Sequence, residues 1–157
     1  MTYQIQPLSL ASFAPLFALS DVELAVVGAR RWTDDLGGRA PCRVSLQDAE
    51  AGDRLILANH AHLADPTSPY RAAGPIFVRE AATEAVLDPD QAPGMLTRRP
   101  LSIRIYDVAN MMLEGEVIAG ADLDGRLRHW FAHPKTEQVH IHFAPRGCYL
   151  ARAVRAD

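Results

Sequence analysis

Lysine is almost missing from this chain, although basic residues are not. The 157 residues include 16 basic ones, of which Lys135 is the single lysine and the rest are arginines spread along the whole sequence. The net charge is −3. Binding to phosphate backbones or to anionic membranes requires a clustered surplus of cations. We therefore expect neither a nucleic acid nor a membrane as a partner.

Cysteine and long apolar runs are also scarce. Cys42 and Cys148 are the two cysteines and lie far apart in the sequence, and no apolar stretch is long enough to cross a bilayer. The first residues show no basic region followed by an apolar run, so no signal peptide is expected. These features predict a cytoplasmic protein with both thiols reduced. For each cysteine, packing is a more common role than nucleophilic catalysis.

The short motifs of several enzyme classes are absent. The sequence has no G-x-G-x-x-G, no G-x-x-x-x-G-K-[ST], no H-E-x-x-H and no G-x-S-x-G. Dinucleotide-binding, P-loop, zincin and serine-hydrolase functions therefore lack their minimal parts.

What the sequence does contain is the pattern of one packed domain over residues 1–157. Hydrophobic residues make up 48% of the chain and charged residues 22%. Ser20 and Glu23 have the spacing of a capping box, and Leu123, Leu127 and Phe131 form a helical stripe. Strand patterns cover 55–58, 75–79, 101–106, 117–118, 138–143 and 148–154, with a polar turn over 34–38 and a Pro/Gly-restricted loop over 64–74. This order predicts an α+β fold with a mainly antiparallel sheet and two or three helices.

Paired histidines are the sharpest chemical feature. His140 and His142 alternate along a predicted strand, so both imidazoles lie on one face. His60 and His62 repeat this spacing. If the two segments meet, His62, His140 and His142, with Asp65, offer nitrogen and carboxylate ligands to a divalent transition metal in a hydrolase or an oxidase. The lack of an established ligand motif nevertheless favours a site without a metal.

A second interpretation of the same pair is nucleotide hydrolysis. The string from His140 to Ala144 resembles the histidine-triad hydrolases, in which three histidines alternate with apolar residues. Here Ala144 stands in place of the third histidine, and His142 would be the nucleophile.

The leading hypothesis is a pocket for a small anionic ligand. The Pro/Gly-restricted loop presents Tyr70 and Arg71, and a guanidinium recognises anions through its planar fork of donors. We predict that this loop joins Arg43, His62, His140 and His142, with the arginines binding charge and the pair at 140 and 142 transferring protons or ligating a metal. The competing class is a non-catalytic protein-interaction module, in which these residues are dispersed and an apolar patch is exposed.

Several short segments of the sequence together resemble one family of small bacterial proteins. They cover residues 13–21, 41–43, 68–71, 74–80, 106–107, 111–112, 140–142 and 147–149. Together they are similar to domain-of-unknown-function family 1203. The resemblance implies relatives of similar length, and it supplies no activity, cofactor or catalytic residue, so the chemistry above rests on residue types and spacing.

Overall fold

Two antiparallel sheets form the framework of the protein. The computed structural model describes residues 2–34 and 39–156, and all structural statements concern these residues. The strands are β1 (Tyr3–Gln6), β2 (Arg30–Thr33), β3 (Arg54–Leu63), β4 (Ala72–Arg79), β5 (Pro100–Tyr106), β6 (Met112–Ala119), β7 (Gln138–Phe143) and β8 (Tyr149–Arg155). The larger sheet has the order β1-β8-β7-β5-β6, and the smaller has the order β2-β3-β4. The predicted α+β class is confirmed.

Helices are short and more numerous than predicted. The described residues contain α1 (Ala14–Phe17), α2 (Asp21–Val26), α3 (Gly94–Thr97) and α4 (Leu123–Ala132), with 3₁₀ turns at Leu10–Ser12 and Gly120–Asp122. The expected number was two or three. The surplus consists of single turns, which are too short to show a helical period in the sequence. The predicted capping box is present, since Ser20 Oγ accepts from the Glu23 N–H and the Glu23 carboxylate accepts from the Ser20 N–H.

The main core lies between the larger sheet and α4. Leu101, Ile103 and Ile105 alternate along β5 and are fully buried, as the sequence pattern predicted. They belong to one apolar cluster with Leu127 and Phe131 of α4. One face of the larger sheet is therefore fixed against the helix, and the polar residues of the same strands point to the opposite face.

The end of β3 lies against that opposite face. In the register, Ser102 is opposite His142 and Arg104 is opposite His140, so these four side chains share one face. The His62 ring of β3 contacts the rings of His140 and His142. The site described below is thus formed between the two sheets.

The predicted loop over 64–74 is shorter in the structure. β3 continues to Leu63 and β4 begins at Ala72, so His60 and His62 are strand residues. The connection is tied to the turn after β5, because Ser68 Oγ donates to the Asn110 carbonyl at 2.7 Å. The polar turn predicted over 34–38 falls, apart from Asp34, outside the described residues. None of the described helices has the length and apolar character needed to span a bilayer.

Candidate metal centre

Three histidines from two sheets converge at one point. His62, His140 and His142 each contribute a ring nitrogen, and the three nitrogens lie within 4.8 Å of one another. The ring centroid of His62 is 4.9 Å from that of His142 and 5.7 Å from that of His140. His140 and His142 are almost completely buried, and His62 is half-buried. The set predicted from the sequence as metal ligands therefore lies together.

Register shifts occur where each strand reaches the cluster. The pairing of β3 with β4 shifts between Ala61 and Leu63, which leaves His62 as the extra residue. The pairing of β7 with β8 shifts at His142, and that of β5 with β6 shifts at Tyr106. Bulges re-aim side chains and are frequent next to functional sites. Here they fall at His62, at His142 and at Tyr106, whose ring contacts His140.

A chain of hydrogen bonds sets the tautomer of His140. The carboxylate of Asp65 accepts from Asn110 Nδ2 at 2.9 Å, which turns Asn110 Oδ1 toward Gln138. That oxygen accepts from Gln138 Nε2 at 2.8 Å, and Gln138 Oε1 lies 3.2 Å from His140 Nε2. A carboxylate only accepts, so every donor along the chain is assigned. His140 Nε2 carries the hydrogen, and its Nδ1 keeps a lone pair.

The backbone sets the tautomer of His142 in the same way. The Gly147 carbonyl oxygen lies 3.0 Å from His142 Nδ1, so Nδ1 donates and Nε2 keeps a lone pair. Buried His140 Nδ1, His142 Nε2 and His62 Nδ1 have no hydrogen-bond partner among the described residues. In metal sites a ligating histidine commonly donates its other nitrogen to a carbonyl or carboxylate in this manner.

The surroundings hold the imidazoles in the neutral form. Burial lowers the pKa of both His140 and His142 to about 3, and burial with the Arg104 charge lowers the pKa of His62 to about 4. The charged side chains that act most strongly on these pKa values are basic: Arg104, Arg152 and Arg43. Neutral imidazole is the form that binds metals.

Aromatic rings form the walls of the cluster. The Tyr149 ring stacks on His62 at 5.4 Å with an interplanar angle of 7°. The Tyr106 ring lies 4.9 Å from the His140 ring. Burial raises the pKa of both phenols, most strongly for Tyr149. His60 is next to Tyr149 as well, with ring centroids 6.0 Å apart. These rings pack directly against the imidazoles.

The other residues predicted for the pocket do not gather with the histidines. Arg43 is 1% exposed, and its Nε and Nη1 donate to the backbone, to the Tyr149 carbonyl at 2.7 Å and to the Pro41 carbonyl at 2.5 Å. Tyr70 lies beside Tyr106, with ring centroids 6.2 Å apart. Arg71 is exposed and has no side-chain partner among the described residues. Asp65 orients His140 from a distance and is not one of the clustered ligands.

Arg104, Tyr106 and Tyr149 were missed by sequence reasoning. The alternation of β5 already separates Ser102, Arg104 and Tyr106 from the apolar residues of that strand. Their relation to His140 depends on β5 pairing with β7, which no local pattern reveals.

A separate open groove carries no comparable chemistry. It is lined by Ser45, Asp48, Glu84, Met95 and Arg98, among others, and by none of the clustered histidines. Its charges are already partnered, since Arg98 and Arg99 both form ion pairs with Asp48.

Comparison with known proteins places the chain in a family. The family model described as "Protein of unknown function (DUF1203)" matches residues 39–155. The chain belongs to the DUF1203 family. The matched region of this DUF1203 member includes all three clustered histidines, and it starts after the string at 13–21. No curated protein and no solved structure matches the chain.

Proposed function

We propose that this DUF1203 protein binds a divalent transition metal through His62, His140 and His142 and uses it to activate water. One observation carries the proposal: three buried imidazole nitrogens without hydrogen-bond partners among the described residues belong to three histidines that converge. Leaving a buried polar atom unpaired costs about 1–3 kcal/mol each. A bound metal offsets this cost for all three nitrogens at once.

The donor set favours a transition metal of the zinc type. Imidazole suits zinc, copper, iron and nickel, whereas calcium and magnesium prefer oxygen ligands. Nitrogens around a tetrahedral zinc ion lie about 3.4 Å apart, since the bonds are about 2.0–2.1 Å. The present spread of up to 4.8 Å closes to that distance by shifts of about 1 Å. The geometry supports a metal more strongly than the sequence did.

Three protein ligands favour catalysis over a purely structural site. Structural zinc sites usually have four protein ligands, while catalytic ones keep a position for water or substrate. A zinc ion in such a site lowers the pKa of bound water to about 7 and so supplies hydroxide near neutral pH. Hydrolysis or hydration is therefore the reaction class we propose. An oxidase is the second candidate and requires iron or copper at the same three ligands.

The nucleotide-hydrolase interpretation fits the geometry less well. Ala144 stands in place of the third histidine of that pattern, and the rings of His62, His140 and Tyr149 lie against His142. An interaction module draws support from exposed Val22, Val26, Val27 and Trp32, which lie on or next to α2 and β2. Neither alternative accounts for the three unpartnered nitrogens.

The cytoplasm is the compartment we propose for this activity. Both cysteines are free, and Cys42 is buried with Sγ accepting from the backbone N–H groups of Ser45 and Arg79. A reducing compartment keeps such thiols unpaired.

Metal analysis tests the proposal directly. Tag-free wild-type protein is expected to contain about one zinc, iron or similar ion per chain by mass spectrometry. A double variant, His140→Ala with His142→Ala, is expected to lose it, because one ligand alone holds a metal weakly. The matched control replaces exposed His129 and His133 with alanine and keeps the metal. Wild-type protein that contains no metal, and takes up none of zinc, iron, manganese or nickel, contradicts the proposal.

Gln138→Leu tests the hydrogen-bond chain behind His140. The variant removes the acceptor that fixes the His140 tautomer, so metal affinity is expected to fall by about 10–100-fold. Competition with a chromophoric chelator measures the dissociation constant. Gln47→Leu, at an exposed position, is the control. An unchanged affinity in Gln138→Leu shows that the tautomer is set by other contacts.

A further inference from the structure

Arg104 is a half-buried cation without a carboxylate partner. It lies directly opposite His140 on the neighbouring strand, on the face that carries the histidines. Among the described residues it forms no ion pair, and it lies close enough to Tyr106 for its charge to oppose the rise that burial causes in the pKa of that phenol. Most other buried or half-buried arginines here are occupied: Arg31, Arg79, Arg99 and Arg126 pair with carboxylates, and Arg43 donates to carbonyls.

The charge balance of the site requires an anion. The three ligands are neutral imidazoles, and the group of clustered ligands among the described residues contains no Asp, Glu or Cys. A divalent metal there adds two positive charges beside Arg104, with Arg152 and Arg43 adding to the positive field. Uncompensated charge in a desolvated site is costly. One metal-bound hydroxide offsets a single positive charge, so the remaining surplus favours a ligand that is itself negative.

We propose that the substrate or ligand carries a small carboxylate, held between the metal and the Arg104 guanidinium. This inference rests on the proposed metal site. A guanidinium fork matches the two oxygens of a carboxylate in one plane. The rings of Tyr106 and Tyr149 lie against the imidazoles, and a flat carboxylate packs against such rings more easily than a tetrahedral anion does. Tyr70 is 38% exposed, and its ring centroid lies 6.2 Å from that of Tyr106.

Cobalt-substituted protein provides the test, because a change in its fourth ligand changes the visible spectrum. Metal-free protein is loaded with Co²⁺, the metal content is measured, and acetate is titrated while absorbance is followed. Sulfate serves as the tetrahedral comparison. Wild-type protein is expected to bind acetate more tightly than sulfate.

Arg104→Met is expected to keep its cobalt and to bind acetate about 10–100-fold more weakly, since a charge-assisted hydrogen bond is lost. Arg30→Met, at an exposed position on β2, is the matched control and keeps wild-type affinity.

The outcomes separate this inference from the proposed function. Protein that does not bind cobalt overturns the metal site and the inference with it. Cobalt-loaded protein whose spectrum ignores acetate, or whose acetate affinity is the same in Arg104→Met, overturns the inference alone. Tighter binding of sulfate than of acetate overturns the carboxylate assignment. Arg104→Lys, which keeps the charge and loses the fork, is expected to fall between wild type and Arg104→Met.

Discussion

Through His140 and His142 alone, the metal-free protein is expected to be about 4 kcal/mol less stable at pH 5 than at pH 7. His140 and His142 have folded-state pKa values of about 3, well below the ordinary 6.5 of an unfolded chain. Between these values the unfolded state binds more protons than the folded state, so stability falls as the pH falls. Each histidine contributes about 2 kcal/mol over this interval, and both are almost fully buried.

Urea unfolding in the presence of a chelator, at several pH values between 7 and 5, measures this effect. The carboxylates whose pKa is lowered, such as Asp65 and Glu116, titrate below this window. A double variant, His140→Leu with His142→Leu, is expected to lose the share of the pH dependence that comes from these two residues and to keep the share of His62, whose pKa is about 4. The alanine variant of exposed His129 and His133 keeps it. A flat wild-type profile between pH 7 and pH 5 shows that the two imidazoles become protonated without cost in the folded state.

Arg43→Ala is expected to destabilise the protein by about 3–5 kcal/mol at pH 7. Arg43 is one of the largest fully buried side chains among the described residues. It donates to two buried carbonyls, those of Pro41 and Tyr149. Its removal leaves two acceptors without these donors and a cavity where the side chain was. Tyr149 stacks on His62, so the same variant is also expected to loosen the metal centre.

Chemical denaturation of Arg43→Ala and of the exposed control Arg30→Ala measures the difference. The control is expected to stay within about 0.5 kcal/mol of wild type. Arg43→Met separates the causes: it fills much of the cavity and removes a buried charge, so a smaller loss than in Arg43→Ala assigns the remainder to the unpaired carbonyls. A loss below about 1 kcal/mol in Arg43→Ala shows that water replaces the guanidinium at both carbonyls.

Local patterns in the sequence specified the core but not the strand order. The alternation of Leu101, Ile103 and Ile105 and the stripe of Leu123, Leu127 and Phe131 were visible because burial imposes a period on apolar residues. β2 was not predicted as a strand, since its residues are polar or exposed and follow no period. Its pairing with β3 is a tertiary effect that outweighs local preference.

The sequence pointed to the three histidines of the candidate site but not to the arginine that lies beside them. The sequence predicted that His140 and His142 share one face, because they are spaced by two, and it joined His62 to them only on the condition that the two segments meet. Arg43 was assigned to ligand binding by residue type alone, and the structure places it under the backbone of β8 instead. Arg104 was overlooked because only the pairing of β5 with β7 brings it opposite His140. Residue type suggested that an arginine lies at the site, and only the strand pairing shows which arginine lies beside the histidines.

Through the hydrogen-bond chain that starts at Asp65, the tautomer of the buried His140 depends on a residue in the loop between β3 and β4. Asp65 is three side chains away from His140, yet its inability to donate is what gives both intervening amides a direction. An isosteric exchange to asparagine would preserve shape and packing while allowing Asn110 and Gln138 to turn over together. The imidazole would then have two tautomers of similar energy, one of which offers no lone pair to a metal. One carboxylate oxygen in the loop thus controls the tautomer of His140 through the orientation of two side-chain amides, with no movement of the backbone.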